Sequence, residues 1–168
     1  MIKPREKMPE LTIDLVNDTQ WSLSEQKPKQ FTMLVVYRGN HCPVCKKYLE
    51  ELQRKLTKFI DKGIHVIAVS SDTEAIAKQT YEEWAIADLP VGHNFSIEQA
   101  RALGLYISKG IKKEPDVFIE PGLFLINPDQ TLYAVSIQSM PFARPEFDAL
   151  LKAIDFVIEE DYPARGEA

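Results

Sequence analysis

FTMLVVYRGNHCPVCKKYLEEL, residues 31–52, changes character at its middle. Phe31 to Tyr37 is a continuous β-prone run, the pattern of a strand covered on both faces. Beyond Pro43 the period becomes helical: Val44, Tyr48, Leu52, Leu56 and Phe59 recur in steps of three and four with Lys and Glu between them. Gly63 suits the C-terminal cap of this helix, and HVIAVSS, residues 65–71, supplies a second buried strand. Strand, helix and strand define a βαβ unit. Both cysteines of the chain, Cys42 and Cys45, stand at its first junction.

Working outward, LTIDLVNDTQWSL, residues 11–23, alternates apolar and polar around Asn17 and Asp18 and predicts an N-terminal β-hairpin. After the βαβ unit, Ser71 with Glu74 fits a capping box for a helix running to about Ala87. Ser96 with Gln99 fits another, for a helix that Gly104 ends. KGIKKEPD is a polar loop, and VFIEPGLFLINPDQTLYAVSI reads as an antiparallel hairpin turning at Asn127 to Gln130. A last helix starts at Pro145 and carries Phe147, Leu150, Leu151, Ile154 and Val157 on one face. The order predicts an α/β fold, a central mixed β-sheet flanked by helices, with strands near 31, 65, 117–126 and 131 at its centre. A thioredoxin-like arrangement is the best match.

The chain has 168 residues, of which 45% are hydrophobic and 27% charged, as expected for a single domain over 1–168 with a substantial core. A net charge of -5 argues against nucleic acid as a partner, since phosphate binding needs a concentrated basic surface. The opening MIKPREKMPELTIDLV lacks the apolar stretch of about 7 to 15 residues that a leader needs, and no membrane partner is expected. A cytoplasmic location follows as the expectation, and there a CxxC pair is kept reduced and serves catalysis or metal binding more often than stapling. So short a loop would also gain little from a disulfide in chain entropy.

Cys42 falls at a helix start, with Pro43 at the first helical position and Cys45 one turn in, so the two sulfurs can meet. Free N–H groups and the positive end of the helix favour a thiolate on Cys42. The helix end contributes about 0.3 to 1 kcal/mol, or about 2 when partly buried, which takes a thiol from about 8.5 to roughly 7–8. A stronger depression needs a cation, for which Arg38 and His41 stand in the same loop. Cys42 is then the attacking thiol and Cys45 the resolving one, closing a Cys42–Cys45 disulfide. Two buried core cysteines, or a zinc site, are the rival readings. Zinc would need four ligands from two cysteines and His41, His65 and His93, with no second paired motif. Arg144 reads either as a tuning cation or as an ordinary surface charge.

At VVYRGNHCPVCKKYLEEL the chain resembles the peroxiredoxin-like branch of the alkyl hydroperoxide reductase and thiol-specific antioxidant family. VIAVSSD, LPVGHNFSIEQARALGLY and GLFLINPDQTLYAVSI follow in the family's order, so the resemblance covers about 8–158. It implies a thioredoxin-like fold, reduction of hydroperoxides or disulfides without a bound cofactor, and an external thiol reductant of a thioredoxin or glutathione system. An isologous homodimer is an association the resemblance allows. The family's hydroxyl residue three positions before the cysteine is Gly39 here, its proline seven positions before is Val35, and its arginine ahead of the late strand is Pro121. By resemblance to thioredoxins, Pro121 is instead a candidate cis-proline shaping a docking edge. A thioredoxin-fold module without enzymatic activity, using the pair for zinc or redox sensing, is the alternative.

Overall fold

The computed structural model describes residues 1–168. The N-terminal hairpin is β1 (Thr12–Leu15) with β2 (Gln20–Ser22), followed by β3 (Phe31–Val36), α1 (Pro43–Asp61) and β4 (Ile64–Val69). Then come α2 (Glu74–Glu83), β5 (Val91–His93), α3 (Ile97–Ala102), β6 (Ile107–Lys109) and β7 (Val117–Ile119). The chain closes with β8 (Gly122–Ile126), β9 (Leu132–Ile137) and α4 (Phe147–Glu159). Seven strands form one mixed sheet in the order β2-β1-β5-β4-β3-β8-β9, and β6 and β7 pair separately. β3 runs parallel to β4 and antiparallel to β8 at the centre.

Side-chain alternation along these strands sorts the core into two layers. Met33, Val35, Val66, Ala68 and Leu125 point to the layer that α1 and α4 close with Leu49, Leu52, Phe59, Leu151 and Ile154. Leu34, Val36, Ile67, Val69 and Phe124 point the other way, under Ala100 and Leu103 of the α3 region. All six residues of β3 are buried, which is why the sequence shows no polar alternation there.

Five expectations change. α2 is capped by Thr73, whose hydroxyl accepts from the Ile76 N–H, rather than by Ser71. The Asp72 carbonyl accepts from Asn94, which keeps the chain extended two residues further, and α2 stops at Glu83 because Trp84 turns into the core as extended backbone. α4 begins at Phe147, since Glu146 is still extended. Residues 117–126 are two strands in two sheets, broken at Glu120 and Pro121. Every peptide bond is trans, so Pro121 is not a cis-proline. Its break comes from having no N–H to donate to a ladder.

Candidate active site

β3 ends at Val36, and the six residues from Tyr37 to Cys42 carry the chain from sheet to helix. Gly39 makes the turn with φ +135°, and a Cβ there would stand 2.5 Å from an oxygen of Asp72, so a side chain would have to displace that carboxylate as well as adopt a strained backbone. Asp72, in the loop between β4 and α2, accepts the Asn40 N–H at 2.8 Å, and the Asn40 amide reaches Thr80 on α2 at 2.9 Å. Burial pushes the Asp72 carboxyl above its usual range. The loop is thus fastened to two elements before the helix begins.

Cys42 is the N-cap of α1, and its Sγ accepts from the Cys45 N–H at 3.2 Å. Pro43 occupies the first turn, where its missing N–H costs nothing. Both sulfurs are buried, Cys42 at 2% exposure and Cys45 at 0%, yet they face each other. The Cys45 thiol donating to Cys42 and then the Cys45 N–H lower the Cys42 thiol to about 6, against the opposing effect of burial, with Arg144 and Arg38 adding smaller shares. Burial and then the neighbouring Cys42 push Cys45 up. The two thiols are therefore shifted in opposite directions, Cys42 down and Cys45 up.

The charges around the pair come from arginine. Arg144 donates Nη1 to Cys45 Sγ at 3.5 Å and lies 4.1 Å over the Tyr48 ring. Tyr48, whose hydroxyl donates to the Pro145 carbonyl at 2.7 Å, ties α1 to the segment that carries Arg144. Arg38 lies 4.5 Å over Phe118 and pairs with Glu120 at 3.2 Å and Glu114 at 3.9 Å. His41 packs edge-on to Phe118 at 4.7 Å, and burial holds its imidazole below the ordinary range.

Cys42, Cys45, Arg38, His41, Pro43, Gly39 and Arg144 therefore gather at one end of the sheet. Pro121 is buried between β7 and β8, and its carbonyl accepts from Gln138. His65 contacts Gln26 and His93 contacts Asn94, and no group of three or more His, Cys, Asp or Glu side chains converges. No helix is long and apolar enough to cross a membrane. Asp72, Glu120 and Phe118 were not foreseen. Glu120 carries one signal, an acid set in the apolar run VFIEPGLFLI that must be paired if buried.

The AhpC/TSA family model matches residues 4–135. A thioredoxin peroxidase of Trypanosoma brucei rhodesiense is 27% identical over 134 residues, an alignment covering 76% of this chain and 65% of that protein. The chain thus spans a little under two thirds of that relative's length. Among solved structures, a peroxiredoxin 6 of Arenicola marina superposes with a TM-score of 0.82 at 18% identity, over 96% of this chain and 76% of that one. Enterococcus faecalis AhpC gives 0.77 at 18% identity, over 98% and 99%. These structures share the fold, while the family match runs through the strand, the cysteine loop and the late hairpin. With residues 4–135 matched, the chain belongs to the AhpC/TSA family.

Proposed function

We propose that the protein is a thiol-dependent antioxidant oxidoreductase, a peroxidase in which the Cys42 thiolate attacks the terminal oxygen of a hydroperoxide. The O–O bond breaks, Cys42 becomes a sulfenic acid, and the leaving alkoxide or hydroxide takes a proton from solvent. The Cys45 thiol then attacks the sulfenic sulfur, and water leaves as the Cys42–Cys45 disulfide forms. An external thiol, of a thioredoxin or glutathione system, reopens the disulfide by exchange. The single observation that carries this reading is the Cys45 N–H aimed at Cys42 Sγ from the first turn of α1, within a chain of the AhpC/TSA family. Arg144 and Arg38 add positive charge near the thiolate, Tyr48 and Asn40 hold its frame, and the whole chain works as one domain in a reducing compartment such as the cytoplasm.

Disulfide reduction by the same pair is a second reading, favoured by one observation. The place of the family's hydroxyl is Gly39, whose open side is taken by the Asp72 carboxylate. Mixing reduced protein with hydrogen peroxide while following tryptophan fluorescence decides between them, because Trp84 lies 6.0 Å from Tyr37 in the core that holds both thiols. Oxidation much faster than that of free cysteine, absent in Cys42→Ser, is the expected result. Oxidation no faster than free cysteine would remove the peroxidase reading and leave disulfide reduction.

A further inference from the structure

The guanidinium of arginine offers its Nε–H and the adjacent Nη2–H as a parallel fork, the side that matches both oxygens of a carboxylate. At Arg38 that fork faces an acid: Nη2 donates to one oxygen of Glu120 at 3.2 Å, and Nε stands 3.2 Å from the other as an ion pair without the alignment of a hydrogen bond. At Arg144 the same two nitrogens are buried and have no partner, while Nη1 is spent on Cys45. No acidic side chain pairs with Arg144. The Lys55 ammonium, on the same cleft, is already shared by Glu51 and Asp148.

That cleft, about 390 Å³, is lined by Arg144 together with Tyr48, Ala143 and Phe147 and, besides the Lys55 group, by Glu146, and its size suits a small ligand. Arg144 stands on the segment Ser139–Pro145, where Ala143 holds φ +56°, a strained value for a residue with a side chain, and Met140 and Phe142 are exposed. We infer that this cleft takes a small molecule bearing a carboxylate, seated on the open fork of Arg144 with its peroxide or thiol group toward the cysteines. The inference rests on the reading of Cys42 and Cys45 as the reacting pair. Seating the ligand requires the segment to shift at Ala143, its most strained residue. The carboxylate belongs to the hydroperoxide substrate or to a small thiol reductant, and the chemistry recognised is the same.

Two matched pairs test it: 3-hydroperoxy-3-methylbutanoic acid against its methyl ester on the reduced protein, and 3-mercaptopropionate against its methyl ester on the oxidised protein. Each rate is divided by that of the same reagent with free cysteine or cystine. An acid-over-ester preference of about tenfold, the factor expected of one charge-assisted pair, is predicted in at least one arm. A preference in the peroxide arm identifies the substrate, and one in the thiol arm the reductant. The preference must vanish in Arg144→Lys, which keeps a charge but loses the fork. Ratios near one in both arms, or a preference that survives Arg144→Lys, overturn the inference. Should that variant not fold, or should the protein turn over neither reagent, protection of Cys42 from iodoacetamide in the wild type decides. Protection by benzoate but not by benzamide supports the fork, and equal or absent protection overturns it.

Discussion

Arg38 and Arg144 bring the same group to one cysteine pair, and their surroundings differ in what stands against the guanidinium. Arg38 lies on an aromatic ring with Glu120, a carboxylate of 3% side-chain exposure, across its fork. Arg144 lies on an aromatic ring with a thiol and no acid. An ion pair presents a dipole whose field fades quickly with distance, whereas a lone cation acts on its neighbours at full charge. Arg144 accordingly does more than Arg38 to favour the Cys42 thiolate. Residue type and nearness in sequence both favoured Arg38. An acidic partner 82 positions away reverses the order.

The largest effect expected is from removing the sulfur that both cations serve. Cys42→Ser reduces peroxide-driven fluorescence change and iodoacetamide uptake to background, and a variant that keeps either would show that Cys45 is the attacking thiol. Next, Arg38→Ala leaves Glu120 buried with only Ser108 to satisfy it, at a cost of about 3 kcal/mol in urea unfolding. Its alkylation midpoint hardly moves. Arg144→Ala shows the reverse pattern, with little stability lost and a clear upward move of the midpoint. Were Arg38→Ala to move the midpoint more than Arg144→Ala, the contrast between the two arginines would fail.

Cys45→Ala sharpens the ranking within the pair. It removes the thiol donor while keeping the backbone N–H, so the Cys42 midpoint rises further than in Arg144→Ala. The smallest effect is at Asp72. Burial raises its folded-state pKa, so protonation favours the fold, and that contribution is lost as pH rises through the folded value. Asp72→Asn keeps an acceptor for Asn40 and removes the buried charge. The variant should therefore melt above the wild type near pH 7, and the difference should shrink as pH falls through the carboxylate range. A constant difference across pH would assign the effect to packing.

Periodicity carried most of the fold. β3, α1, β4, the Ser96–Gln99 capping box and the β8–β9 hairpin all rest on local patterns, and all are present. What was hidden depends on contacts distant in sequence. Thr73 replaces Ser71 as a cap because Asn94 holds Asp72 extended, and the run 117–126 divides because its halves find different partners in space. The meeting of Cys42 and Cys45 at a helix start could be read from a strand, a proline and a three-residue step. The charges around them could not. Nothing local to Arg38 indicates Glu120, and nothing near Arg144 indicates Tyr48 and Cys45 on a helix about 100 residues earlier.

The rate of Cys42 alkylation by iodoacetamide as a function of pH, in the reduced wild-type protein, tests the central claim most directly. A thiolate held by the Cys45 thiol, the Cys45 N–H and Arg144 predicts a midpoint well below that of an ordinary cysteine, near 6. A midpoint at about 8.5, the value of an unperturbed thiol, would contradict the account.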